Sequence, residues 1–150
     1  MLVDQLRTDL TAAMKARDTV TTGALRLGLA AISEATVAGD EAKELTDDEA
    51  VSVLTKAARK HEEAAEAFAG AGREEQAAQE RASRDVLARY LPAELGEDEL
   101  AAIVADVLAA GGFSTPKDMG AAMKAVSAEV AGRADGKAVA ALVKASLTGG

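Results

Sequence analysis

The chain has 150 residues, which is enough for one domain or two small ones with a real hydrophobic core. Its hydrophobic fraction of 49% is mostly alanine and only 2% of its residues are aromatic, so closely packed helices are favoured over a sheet built around large side chains. The absence of cysteine excludes disulfides and thiolate metal sites, and a net charge of −8 argues against broad, non-specific nucleic-acid binding.

Two helices are predicted in the first 39 residues. The first runs from about Asp4 to Arg17 and gains an apolar face from Leu6, Leu10 and Met14, which lie at spacings of four. Residues 19–22 are rich in threonine and make a poor helix interior, so we expect them to join this helix to the next. The second helix carries Leu25, Leu29 and Ile32 on one face and ends near Gly39.

A capping box opens the third predicted helix, because Thr46 and Glu49 have the spacing at which each side chain reaches the other residue's amide. This long helix ends at Gly70 and Gly72. Its apolar positions alternate spacings of three and four in a heptad-like seam: Val51, Leu54, Ala58, His61, Ala65 and Phe68. A fourth helix from about Glu74 to Tyr90 presents a row formed by Ala78, Ala82, Val86 and Tyr90.

Three shorter helices are predicted beyond Pro92, over roughly residues 97–109, 116–130 and 136–147. Thr115 and Pro116 form a helix start, with a capping residue followed by proline at the first helical position. Gly132 suits the left-handed position after a helix end, while Asp135 suits the N-cap of a helix that begins at Gly136. The predicted fold is all-α, with a four-helix unit over 1–92 and a three-helix domain over 93–150.

No catalytic constellation is found in the sequence. The residues one turn away from His61, the only histidine, are alanines, so no metal-ligand pair lies at helical spacing. The serines lie in no nucleophile motif, and the acidic clusters fit helix starts and solvated faces. We therefore predict no catalytic residue, no metal site and no cofactor, and whether the protein is an enzyme stays open.

Positive charge is concentrated near the C-terminus. Residues 1–112 hold 12 Lys+Arg and 22 Asp+Glu, whereas residues 113–150 hold 5 Lys+Arg and 3 Asp+Glu. The candidate nucleic-acid-binding residues are Lys117, Lys124, Arg133, Lys137 and Lys144. Arg133 and Lys137 flank a helix start, where free backbone N–H groups also favour anions, so this segment is either a tight turn or a small anion site.

Three spaced elements carry a resemblance to a known family. They are Phe68–Glu74, Tyr90–Leu95, and the pair formed by Asp118-Met119-Gly120 and Gly132-Arg133-Ala134-Asp135-Gly136-Lys137. In this order they resemble the GatB/YqeY family, which occurs free-standing and as the tail of the B subunit of tRNA-dependent amidotransferases. The chain departs from the family pattern at Lys124 and Ala128, where glycine and proline are common.

The resemblance implies a tRNA-associated accessory protein, similar to the tail that grips tRNA in glutamine-dependent aspartyl/glutamyl-tRNA amidotransferase, a carbon–nitrogen ligase. It implies no catalytic centre in this chain. The expected partners are tRNA, bound through the C-terminal domain, and an aminoacyl-tRNA or amidotransferase-related protein. The alternative is an acidic helical protein-interaction module that binds no nucleic acid. With no apolar signal segment found, we expect a cytoplasmic protein without a membrane partner.

Overall fold

The computed structural model describes residues 1–149, and all the regular structure in that range is helical. The helices are α1 Leu2–Lys15, α2 Thr19–Thr36, α3 Asp47–Gly70, α4 Glu74–Ala88, α5 Glu97–Gly111, α6 Met119–Val130 and α7 Gly136–Leu147, with a 3-10 turn over Pro116–Asp118. The all-α prediction is confirmed. No helix in this range is both long and apolar enough to cross a bilayer.

Contacts between helices divide the chain after Leu91 into a first unit, Met1–Leu91, and a second unit that begins at Pro92. Each unit has a buried cluster of its own, and the two clusters share no residue. The assignment of 1–92 and 93–150 as separate domains stays a prediction.

The core of the first unit is formed by all four of its helices, and α3 packs chiefly against α4. Its buried residues are Leu6, Ala24, Leu25, Ile32, Ala50, Leu54, Ala58, Val86 and Leu87. At Gly28, an added Cβ would lie 3.0 Å from Leu54 Cδ2 and 3.1 Å from Leu87 Cδ2. The absence of a side chain at this position is therefore what lets α2 approach α3 and α4 closely.

The start of α2 differs from the prediction. Residues 19–22 are the first turn of the helix, because Asp18 acts as its N-cap and accepts hydrogen bonds from the Thr21 amide at 3.0 Å and the Thr21 hydroxyl at 2.7 Å. These two bonds hold the pKa of Asp18 below its ordinary value. The chain reverses direction earlier, at Arg17, whose φ of 58° lies in the left-handed region. Threonines, poor in a helix interior, are thus accommodated in a capped first turn.

The apolar row predicted for α4 is also wrong in part. Ala78 is exposed, whereas Ala77 is fully buried against α3. The row that faces α3 contains Ala77, Glu80, Arg84 and Leu87, so two charged residues share it with two apolar ones. In the predicted row, Val86 is buried and Tyr90 packs against the core. A search for apolar residues alone overlooks the row that faces α3, because two of its positions are charged. On α3 the predicted seam is buried at Leu54, Ala58 and Ala65.

The second unit is a three-helix unit with an aliphatic core. Each helix contributes three residues at spacings of four: Leu100, Val104 and Leu108 from α5, Ala122, Val126 and Val130 from α6, and Val139, Val143 and Leu147 from α7. The Asp118 carboxylate accepts hydrogen bonds from the amides of Ser114 and Thr115 at 2.9 and 3.1 Å, which fixes the 3-10 turn before α6. These bonds, that from Ser114 first, lower the pKa of Asp118.

Candidate nucleic-acid interface

The turn between α6 and α7 positions the candidate site. Ala131 and Gly132 both adopt left-handed backbone angles, with φ of 51° and 79°, and this ends α6. Asp135 is the N-cap of α7 and accepts a hydrogen bond from the Lys137 amide at 3.4 Å. The chain therefore leaves one helix and enters the next within five residues, 131–135.

The Arg133 side chain turns back onto α6. Its Nε donates to the Val130 carbonyl at 3.1 Å and its Nη2 donates to the Glu129 carbonyl at 3.4 Å. Its own carbonyl accepts from the Leu95 amide at 2.8 Å. The guanidinium thus caps the C-terminal carbonyls of α6, where a positive charge also balances the helix dipole. This structural role is distinct from the phosphate contact expected from the sequence.

Unlike Arg133, the four lysines are all exposed: Lys117 in the 3-10 turn, Lys124 on α6, and Lys137 and Lys144 on α7. Lys137 and Lys144 are seven residues apart, so they project from one face of α7 about 10 Å apart along its axis. Lys124 lies on the side of α6 opposite the buried Ala122 and Val126. Within residues 1–149, none of the four ammonium groups forms an ion pair.

Acidic residues limit where a polyanion can bind to the second unit. From Pro92 onward the sequence holds five Lys+Arg and eight Asp+Glu. Three of the carboxylates, Glu97, Asp98 and Glu99, occupy the first turn of α5, where they stabilise the positive end of the helix dipole. A negatively charged ligand is therefore favoured at α6 and α7 and repelled at the start of α5.

The sequence of both units matches a known family. Residues 3–147 match the family model described as Yqey-like protein. The chain belongs to the YqeY-like family. The match covers nearly all of both units, and with them the turn and the four lysines. No curated protein matches this YqeY-like chain.

A second polar region of the YqeY-like chain lies in the first unit, in a shallow cleft of about 440 Å³. Its polar lining residues are Gln5, Asp9, Asp18, Thr21, Arg89 and Tyr90. The Tyr90 hydroxyl donates to Asp9 Oδ2 at 2.6 Å, and burial together with this bond raises the pKa of Tyr90 to about 12. The residues are 81 positions apart, so no local sequence signal could have indicated this pair.

His61 lies at the contact between α3 and α4 in this YqeY-like protein. Its Nδ1 is 2.6 Å from Glu80 Oε2, and one turn further along α4 the Arg84 guanidinium pairs with Glu62 and with Asp85. The pairing with Glu62 is the main reason that the pKa of Arg84 is raised. In the described part of the chain, no three His, Asp or Glu side chains are placed to hold a metal ion.

Proposed function

We propose that this YqeY-like protein is a tRNA-associated accessory protein that contacts RNA phosphates through the exposed lysines of α6, α7 and the preceding 3-10 turn. The observation that carries the proposal is the pair Lys137 and Lys144 on one exposed face of α7. Two ammonium groups in line along a helix form a positive edge that follows a phosphate backbone better than two isolated charges would.

The distribution of charge supports this assignment. Residues 113–150 carry a positive balance of two, whereas residues 1–112 carry a negative balance of ten. A polyanion is therefore attracted to the C-terminal helices and repelled by the rest of the chain, which restricts the orientation in which RNA can bind. Since lysine acts as a point charge, such contacts bind phosphate without reading the base sequence.

The structure changes the role we give to Arg133 within this proposal. With its guanidinium bonded to the Val130 and Glu129 carbonyls, Arg133 holds the shape of the α6–α7 turn, and Lys137 and Lys144 supply the phosphate contacts. Lys117 and Lys124 extend the positive surface. Substituting Arg133 would therefore disturb the turn as well as remove a charge, which makes it a poor test of RNA binding.

Kinship with the tail of the amidotransferase B subunit suggests the context of this binding. The proposed partners are tRNA and an aminoacyl-tRNA or amidotransferase-related protein, with the chemistry of amidation supplied by that partner. The present chain would then position tRNA and would hold no catalytic centre.

The test is a titration of the full-length protein with tRNA over a series of salt concentrations. We expect affinity to fall as salt rises, because each phosphate contact releases condensed counterions. In the variant Lys137→Gln/Lys144→Gln, the slope of log affinity against log salt should decrease by about two, one for each lost contact. The matched control is Lys56→Gln/Lys60→Gln, which removes two exposed lysines from α3 and should leave the slope unchanged.

Two results would overturn the proposal: no binding to tRNA at low salt, or an equal loss in the variant and its control. Either would favour the alternative of an acidic helical module that binds protein. That alternative is supported by the exposure of two apolar residues of α2, Val20 and Leu27, and of its C-cap, Val37. An apolar helix surface would bind its partner with little dependence on salt.

A further inference from the structure

The outward face of α2 is unusually apolar. It consists of Val20, Gly23, Leu27, Ala30, Glu34 and Val37, the last being the C-cap, and all six are exposed at alternate spacings of three and four. Three of them, Val20, Leu27 and Val37, are 47%, 57% and 63% exposed. The opposite side of the helix already supplies Ala24, Leu25, Gly28 and Ile32 to the core. A helix with apolar residues on both sides is typical of one that is covered on both sides.

We propose that a second copy of this chain packs antiparallel against the outward face of α2. The spacing of three and four is that of a heptad seam, in which each large side chain fits a space in the facing helix. A twofold axis between Leu27 and Ala30 sets Leu27 against Ala30 of the other copy, and Val20 against Val37. At these facing positions, a large residue meets a small one or one of the same size. Each copy uses the same surface, as a twofold interface requires.

Gly23 supports this arrangement because nothing within its own chain requires a glycine there. A Cβ at Gly23 would have no neighbouring atom within 4 Å, in contrast to Gly28 on the same helix. Glycine in the interior of a helix is unfavourable unless a close approach needs it. In the antiparallel pair, Gly23 lies opposite Glu34 of the second copy and leaves room for that longer side chain.

The charges on α2 favour a second copy of the chain as the partner, and they favour an antiparallel orientation of the two helices. Arg26 and Glu34 are its only charged residues and both are exposed, so the helix surface is neutral in a chain of net charge −8. In the antiparallel pair, Glu34 of one copy lies above Gly23 of the other and beside Arg26. In a parallel pair, the two Glu34 carboxylates would face each other and repel.

Sedimentation equilibrium of the full-length chain over a range of concentrations tests the proposal. We expect a reversible dimer. Glu34→Arg should raise the dimer dissociation constant by about tenfold or more, because it places a new positive charge beside Arg26 of the other copy. The double variant Arg26→Glu/Glu34→Arg should restore it. Glu66→Arg, the same reversal on the exposed surface of α3, should leave the constant unchanged.

The direction of the pair is tested by disulfides, since the chain has no cysteine of its own. A mixture of the variants Leu27→Cys and Ala30→Cys should form mainly the mixed disulfide under mild oxidation. A predominance of Leu27→Cys disulfides with itself would mean a parallel pair and overturn the antiparallel one.

A chain that stays monomeric at all concentrations would overturn the proposal, as would a dimer that Glu34→Arg leaves intact. Capture of a different protein by this face in a monomeric chain would also overturn it. All of these variants change exposed residues, and an unchanged helical circular dichroism spectrum shows that each is folded.

Discussion

At the scale of single residues, Tyr90 and Asp9 show how a long-range contact joins the middle of α1 to the chain just after α4. The hydroxyl of a half-buried tyrosine donates to a carboxylate at 2.6 Å, and the neutral phenol is therefore favoured over the phenolate. Burial is the larger cause of the raised pKa and the bond to Asp9 the second. This single pair makes the stability of the unit sensitive to alkaline pH.

We predict that Tyr90 titrates at about pH 12 in the folded protein and near its ordinary value of 10 after unfolding. Because the folded value is the higher one, the stability contributed by this group is complete below pH 10 and is lost as the pH rises toward 12. Tyr90 is the only tyrosine, so phenolate absorbance measures its titration directly.

The variant Asp9→Asn provides the control for this titration. It keeps an oxygen acceptor for the Tyr90 hydroxyl but removes the negative charge. The pKa of Tyr90 should therefore fall partway toward its ordinary value, while burial still keeps it raised. A native protein that titrates at pH 10 would contradict the structure described here.

Residue identity alone predicts part of this detail. The four lysines and their exposure could be anticipated, since lysines in short polar turns and on amphipathic helices are rarely buried. The Arg133 cap has a local signal too, a basic residue three and four positions after the carbonyls that it caps at the end of α6. The Tyr90–Asp9 bond and the His61–Glu80 pair could not be anticipated, because they join residues 81 and 19 positions apart and no local spacing encodes them.

At the scale of helices, comparing Gly28 with Gly23 distinguishes the effect of tertiary packing on stability from the effect of intrinsic helix propensity. Both lie within α2, but only Gly28 is pressed against neighbouring side chains, the fully buried Leu54 and Leu87. Alanine at the two positions should therefore have opposite effects on the free energy of unfolding.

We predict that Gly28→Ala lowers the free energy of unfolding by about 1–3 kcal/mol through overpacking. Gly23→Ala, its matched control in the same helix, should raise it by about 0.5–1 kcal/mol through better helix propensity. Urea unfolding followed by circular dichroism, at dilutions where the chain is monomeric, measures both. Equal effects at the two sites would contradict the close approach at Gly28.

Helix starts and stops were predictable where a capping residue and a breaker occur together. Thr46 and Glu49 form the reciprocal box, with amide-to-side-chain distances of 3.2 and 2.8 Å, and α3 begins where that spacing indicates. The prediction for the start of α2 is wrong because it rests on the poor helix preference of threonine, whereas Asp18 caps the helix. Propensity is a weak signal, and one cap with two good hydrogen bonds outweighs it.

At the scale of the whole molecule, the separate cores predict separate unfolding. Tyr90 belongs to the first unit, so its fluorescence follows that unit, whereas far-ultraviolet circular dichroism follows the helices of both. Leu54 is fully buried in one core and Leu100 is 5% exposed in the other.

We predict that Leu100→Ala destabilises the second unit by about 2–5 kcal/mol and leaves the midpoint of the Tyr90 fluorescence transition unchanged. Leu54→Ala should move that midpoint by a comparable free energy. Chemical denaturation recorded with both probes measures the two effects. If Leu100→Ala shifted both probes together, the chain would be a single cooperative unit.

The hydrogen bond from the Leu95 amide to the Arg133 carbonyl gives the second unit an internal clasp. It closes a loop that contains α5, the 3-10 turn and α6, and it joins the entrance of the unit to the turn that precedes α7. An amide in such a bond exchanges with solvent deuterium only when the clasp opens. The exchange rate of the Leu95 amide proton therefore reports the dynamics of a turn far away in sequence. A ligand bound to α7 would change this rate at the point where the chain enters the unit.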